Sequence, residues 1–345
     1  MDYSLIIKKA WKEFNPFKII HKIEDISAMV STNHVFRVTF EDEDIVIAKL
    51  SYFGKYDHFK EDHRIIHTLA NNLLYPFDNV LAKSLLKNNR VFTYRYNKAK
   101  TDAWVVFYNP VRVQERLPRR LDESQIRKLG EQMGRFHKAC SSAKSVLPKS
   151  SKTLRTDINV LLKQLSRKTQ RQFDEPQKEI LRSHCEKFLV NRLKCKADAF
   201  ESIPVFIDWN IGNFSVTSNQ KLFSRWDYDW FRMSTRMMDF YFLSRVVSDV
   251  GDRTVFSYVV TTLMEERFLI FLEEYHNVNP LTSNEVRFLK EVYRFFILNY
   301  VIKDGKYFFS EQYAEKLQKE AFDIYLPSVD TAFDARKILD RLKLK

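Results

Sequence analysis

A chain of 345 residues with 45% apolar and 29% charged side chains has the balance of a globular protein with a sizeable core, which argues against disorder as its main state. Its six glycines form neither G-x-G-x-x-G nor G-x-x-x-x-G-K-[ST], so a Rossmann fingerprint and a P-loop are both disfavoured. The formal charge of +13 is concentrated: residues 141–172 hold eight Lys or Arg against one acid, Asp157. Such a run is either a solvated face or an attractor of anions.

The N-terminal Met1-Asp2-Tyr3-Ser4 lacks the charged start and apolar core of a secretory signal, and Cys140, Cys185 and Cys195 form no C-x-x-C pair. A reduced, cytoplasmic setting is the expectation. Phe36, Val38 and Phe40 alternate, the acidic turn 41–44 follows, and then a second strand over 45–50, which reads as a β-hairpin. Residues 57–74 turn helical, with Phe59, Ile65, Ile66, Leu69 and Leu73 near 3.6-residue spacing. Strands over 91–96 and 103–108 flank a polar turn, making the first third β-β-α-β-β. Past Pro110 and Pro118 long helices take over, placing a boundary near 109–120. Asp122 and Gln125 cap a helix whose stripe is Ile126, Leu129, Met133 and Phe136. A second helix starts at Asp174 with Pro176 in its first turn, and further helices are expected over 253–275 and 283–303. Short strands at 205–207, 214–216 and 222–226 interrupt them. The apolar stretch 255–272 contains Glu265, Glu266 and Arg267, so no transmembrane span is expected.

The polar residues of interest lie in that β interruption. Phosphoryl transfer needs a metal held against phosphates, a cation on them, and a carboxylate to orient the attacking hydroxyl. In Phe206-Ile207-Asp208-Trp209-Asn210-Ile211-Gly212-Asn213 an Asp leaves a strand, an Asn follows five residues later, and Asp227 ends the next hairpin. A tight strand-loop-hairpin brings its two ends together, so Asp208, Asn213 and Asp227 converge on one rim as oxygen donors suited to Mg²⁺.

With these residues the chain resembles the aminoglycoside phosphotransferase and choline kinase superfamily, which shares its fold with protein kinases. Its members carry an H-G-D-x-x-x-x-N loop, an aspartate in I-D-[FW]-[DE], and a structural Asp before the next helix. Asp208 and Asn213 match the first, Asp227 in Trp226-Asp227-Tyr228-Asp229 the second, and Asp239 in Met238-Asp239-Phe240 the third. The run from Leu129 to His137 is similar to the family's L-G-x-x-L-x-x-L-H helix, and Ile47-Ala48-Lys49 to its phosphate-lysine strand. The resemblance implies an α+β, two-lobed protein-kinase-like fold, with a β-rich nucleotide lobe over 1–109 and a helical lobe over 110–345. It implies Asp208 as catalytic base, Asn213 and Asp227 as holders of Mg²⁺, and Lys49 on the α/β-phosphates of ATP, ion-paired to Glu61. The nucleotide is expected between the lobes near Tyr108 and Asn109. Phe206 and Ile207 replace the family His-Gly, and the phosphate-covering loop, Ser27 to Asn33, has no glycine. Those departures carry a second reading, a pseudokinase-like binding module without catalysis.

Other signals point elsewhere. His58, His63 and His67 read as a polar helix face, Asp239 as a helix cap, and His137 as a residue ending its helix. No G-x-S-x-G supports hydrolase chemistry. The stretch from Lys144 to Arg171 contains no aromatic residue, so no specific nucleic-acid partner is expected. The resemblance implies that the basic segment lies on the substrate side, where it would repel polycations, so the expected partner is a small-molecule hydroxyl acceptor, neutral or anionic and not a cationic aminoglycoside. Oligomeric state has no sequence signal here.

Overall fold

Alternation of apolar residues and one capped amphipathic helix organise the first third of the chain. The computed structural model describes residues 2–27, 33–52, 54–98, 101–167, 172–250 and 257–345. Helix α1 (Tyr3–Phe14), whose Leu5 amide donates to Asp2, lays Ile6, Ile7, Ala10 and Trp11 on the sheet. Strands β1 (Ile20–Asp25), β2 (His34–Phe40) and β3 (Ile45–Ser51) precede helix α2 (Tyr56–Asn72). The short β4 (Leu86–Lys87) and β5 (Arg90–Val91) then lead into β6 (Thr93–Lys98) and β7 (Thr101–Tyr108). The antiparallel sheet runs β1-β2-β3-β7-β6, with β3 at its centre. Successive side chains of a strand point to opposite faces. Val46, Ala48 and Leu50 therefore pack with α1, while Ile47 and Lys49 look the other way, toward the rest of the protein.

The remainder is mainly helical. Capping boxes open α3 (Glu123–Ala143) at Asp122 and Gln125, the pair the sequence predicts, and α5 (Glu175–Lys194) at Asp174 and Gln177, where the sequence predicts the start at Asp174 but not the Gln177 partner. Between them α4 (Leu154–Leu165) lies in the basic segment. Short strands β8 (Ile203–Val205), β9 (Phe214–Val216), β10 (Leu222–Arg225) and β11 (Arg232–Ser234) follow. Helices α6 (Phe240–Val247), α7 (Glu266–Val278) and α8 (Ser283–Phe296) come next, the last continuing as a π-helix over Ile297–Lys303. The chain closes with α9 (Gly305–Phe308), α10 (Glu311–Glu320), α11 (Leu326–Ala332) and α12 (Ala335–Arg341). Among the described residues no helix is long and apolar enough to cross a membrane.

Several expectations are corrected. The helix expected from 253 starts at Glu266; residues 251–256 lie outside the described set, and Val259 and Glu265 are extended. The β-branched cluster Val259, Val260, Thr261 and Thr262 disfavours an α-helix there. The sheet gains β1, absent from the sequence reading, and β8 pairs with β11, which is also new.

Candidate active site

The loop after β8 is held by one carboxylate. Asp239, fully buried, accepts the amides of Phe206 at 2.9 Å and Ile207 at 2.6 Å on Oδ1. Its Oδ2 meets His137 Nε2 at 2.9 Å, and His137 Nδ1 meets the Tyr275 hydroxyl at 2.7 Å. Asp239 is therefore not a helix cap: its side chain makes no capping bond to α6. Nor does His137 end its helix, for α3 runs on to Ala143. This clamp fixes Ile207 at φ +63°. That conformation is strained for a β-branched side chain, at a cost of about 1–3 kcal/mol, and persists only where surroundings over-determine it. Here they do. Asp208 N donates to Phe206 O at 2.7 Å and Trp209 N to Ile207 O at 2.9 Å. Phe206 packs on Phe136, Trp209, Tyr228 and Phe231.

Arg225 ties the loop to the following hairpin. Its fully buried guanidinium donates to the carbonyls of Asp208 (3.0 Å), Asn213 (3.3 Å) and Trp226 (2.7 Å). It also lies over the rings of Phe206 and Trp209, 4.8 and 4.7 Å from their centroids. Asn213 Nδ2 reaches the Asp208 carbonyl at 3.3 Å, and Trp226 N donates to Asn213 O at 3.0 Å. Asp208, Asn213 and the residue before Asp227 thus share one hydrogen-bonded unit. The convergence expected from spacing is present at the level of the backbone.

Lys49 closes the site from the sheet. Its buried ammonium lies 2.7 Å from Asp227 Oδ1 and 2.6 Å from Asp229 Oδ1. Asp229 also accepts from Asn33 Nδ2, and Asn33 Oδ1 accepts from Ser51 Oγ at 3.1 Å. Asp227 stands at φ +67°, a conformation Asp tolerates better than most residues. Burial raises the Asp227 pKa, but Lys49 and Arg225 outweigh it and hold the carboxyl below its ordinary value. For Asp229 burial wins, helped by the Asp227 charge, and the pKa rises to about 6. Burial also lowers the Lys49 pKa, yet the two carboxylates more than reverse this.

Other predicted residues lie differently. Lys49 does not pair with Glu61; Glu61 accepts from Ser150 Oγ at 2.8 Å and the Ser151 amide at 2.7 Å. Lys49 is held instead by Asp227 and Asp229, and α2 buries His63, with Nδ1 on Phe59 O and Nε2 on the Tyr108 hydroxyl. His63 is therefore not on a polar face. Tyr108 is buried with its hydroxyl on His63, and the Asn109 amide donates to Lys83 O at 3.0 Å. The loop Ser27 to Asn33 is described only at its two ends.

Among the described residues no group of three or more His, Cys, Asp or Glu forms a metal cage. An amide oxygen from Asn213 and a carboxylate from Asp227 instead suit a hard ion that takes its other oxygens from phosphates and water. Sequence reasoning missed Arg225, Asn33 and Asp229. Only Asp229 had a signal, two residues after Asp227; the other two act through contacts remote in sequence.

No protein-family model and no curated protein matches the chain. Solved structures match its fold along nearly the whole length. An amicoumacin kinase in complex with AMP-PNP, Ca²⁺ and Ami matches with a TM-score of 0.63 at 13% identity, over 98% of this chain and 97% of that one. The GDP complex of an aminoglycoside 2'-phosphotransferase-IIIa matches at 0.55 and 14%, over 92% and 97%. A choline kinase from Streptococcus pneumoniae matches at 0.54 and 12%, over 94% and 98%.

Proposed function

From the premise that the chain has the fold of the aminoglycoside phosphotransferase and choline kinase superfamily, we propose that it is an ATP- and Mg²⁺-dependent phosphotransferase acting on a hydroxyl of a small molecule. The observation that carries this reading is Lys49, on the central strand, meeting Asp227 across 178 positions of sequence beside the loop of Asp208 and Asn213. Cation, metal-type oxygens and a candidate base thereby share one place.

In this reading Asp208 orients the acceptor hydroxyl and takes its proton as the oxygen bonds to the γ-phosphorus and the bond to ADP breaks. Lys49 faces the α/β-phosphates, and Asn33 with Asp229 keeps it in place. Mg²⁺ held by Asn213 and Asp227 would neutralise charge on the transferred group. Asp239, through the amides of Phe206 and Ile207, and Arg225, through the Asp208 carbonyl, act as positioning residues. The basic segment favours a neutral or anionic acceptor over a cationic one.

One observation favours the second reading, a binding module without catalysis: Lys49 is already neutralised by two carboxylates, and the Asn109 amide is already bonded. Transfer of label from γ-labelled ATP to a panel of neutral and anionic hydroxyl compounds decides between them. The expected result is a labelled product with the native chain, at least about 100-fold reduced in Asp208→Ala. Undiminished transfer in that variant rejects Asp208 as the base; no transfer to any acceptor supports the binding module.

A further inference from the structure

The basic segment builds a cavity. About 910 Å³ in volume, it opens between the end of α3, the start of α4, the end of α5 and β11, a size that suits a small molecule. Five basic side chains line it, Lys144, Lys149, Lys152, Arg155 and Arg192, against one acid, Asp198. Three of the five have acidic partners: Lys144 pairs with Glu201, Lys152 with Asp62, and Arg192 with Asp198. Lys149 and Arg155, both exposed, have none among the described residues.

Backbone donors add to this charge. Thr153 caps α4 by accepting the Thr156 amide, which leaves the first-turn amides of Leu154 and Arg155 without intrahelical acceptors at the positive end of the helix. A further, independent observation lies on the opposite wall. Arg192 is more than nine-tenths buried, and its Nε has no hydrogen-bond partner. Asp198 holds the same guanidinium through Nη1, so the donor left over on this wall is Nε.

The cavity also has a fixed relation to the reaction site. β11 pairs with β8 from Ile203–Ser234 to Val205–Arg232, and β8 runs directly into Phe206. Three strand residues span about 10 Å. Lys152 donates to Phe231 O at 2.9 Å, and the Phe231 ring packs on Phe206 at 5.4 Å. Ser150, Ser151 and Lys152 hold the rim against Glu61 and Asp62 of α2.

We propose that this cavity binds the anionic group, phosphate or carboxylate, of a small molecule, with Lys149, Arg155 and the first amides of α4 as its donors. Its assignment to the acceptor, one end held here and the hydroxyl at Asp208, rests on the phosphotransferase reading; the anion site does not.

Calorimetric titration of the full chain with inorganic phosphate, without nucleotide or metal, tests it. Native protein and Asp227→Ala bind phosphate alike, whereas the double variant Lys149→Ala, Arg155→Ala binds at least about tenfold more weakly, the loss of one charge-assisted contact or more. Both substituted side chains are exposed, so the double variant melts like the native chain without phosphate, which a thermal scan verifies. Equal binding in the double variant, loss in Asp227→Ala alone, or no binding of phosphate or succinate to native protein at millimolar concentration each overturns the proposal. Binding of succinate in preference to phosphate, lost in the double variant, upholds the site with a carboxylate as its ligand. Retained phosphate binding alongside a failed transfer assay removes the acceptor assignment and leaves the site.

Discussion

His63 is a buried titratable group whose charge state the fold dictates. Desolvation drives its pKa down to about 3, the bond to Phe59 O resists, and the charges of Lys49 and Lys152 add to the fall. Between its ordinary value of 6.5 and about 3 the native protein therefore binds fewer protons here than the unfolded chain. The contribution of this site to stability is complete above pH 6.5 and is lost as pH falls through that window. Asp62 and Asp229, both raised to about 6 chiefly by burial, act in the opposite direction between roughly pH 4 and 6. They are common to native protein and His63→Gln, so the difference between the two isolates His63. Urea unfolding at pH 7, 6, 5 and 4 is expected to show that difference shifting by about 1.4 kcal/mol per pH unit below pH 6. Parallel curves contradict a neutral, buried His63. The burial was legible in principle, since Phe59, His63, Ile66 and Ala70 recur at helical spacing. Asp208, Asn213 and Asp227 were legible because a strand, a loop and a hairpin fix their proximity locally. The partner of Lys49 was not: which carboxylate meets it is decided by how two distant parts of the chain dock.

At the scale of elements, α3 and α7 approach through glycine. A Cβ on Gly130 would stand 2.4 Å from the Phe271 carbonyl oxygen and 3.1 Å from Glu274 Cβ, and one on Gly134 would stand 3.0 Å from Val278 Cβ. Alanine gains about 1 kcal/mol over glycine in helix propensity. At Gly130 the two helices must part to admit it, and overpacking of this kind costs about 1–3 kcal/mol. Gly130→Ala is expected to lower the unfolding free energy by about 1–2 kcal/mol in a denaturant titration, the clash outweighing propensity; a gain contradicts the close approach. The cap of α3 could be read from Asp122 and Gln125, and the start of α5 from Asp174 and Pro176, because both signals are local. The pairing of β8 with β11 could not, since a three-residue strand carries too little periodicity to announce its partner. The start of α7 is hidden in sequence because the apolar run continues across the β-branched residues before it.

Across the whole molecule, ion pairs and side-chain hydrogen bonds are among the contacts that join the first 109 residues to the rest. Lys49 meets Asp227 and Asp229, Asn33 meets Asp229, Glu61 meets Ser150 and Ser151, and Asp62 meets Lys152. The α+β architecture itself was legible, from a change of hydrophobic period between the first third of the chain and the rest. The site at the junction is where the account is most exposed to test. Thermal unfolding midpoints of native protein and Asp227→Ala, each with ATP alone, Mg²⁺ alone and both, test it directly. A ligand at about 100 times its Kd adds about 2.7 kcal/mol to the folded state. Native protein is expected to show a clear rise that needs both ligands together and is absent in Asp227→Ala. No rise at millimolar ATP and Mg²⁺, or an equal rise in the variant, would contradict it.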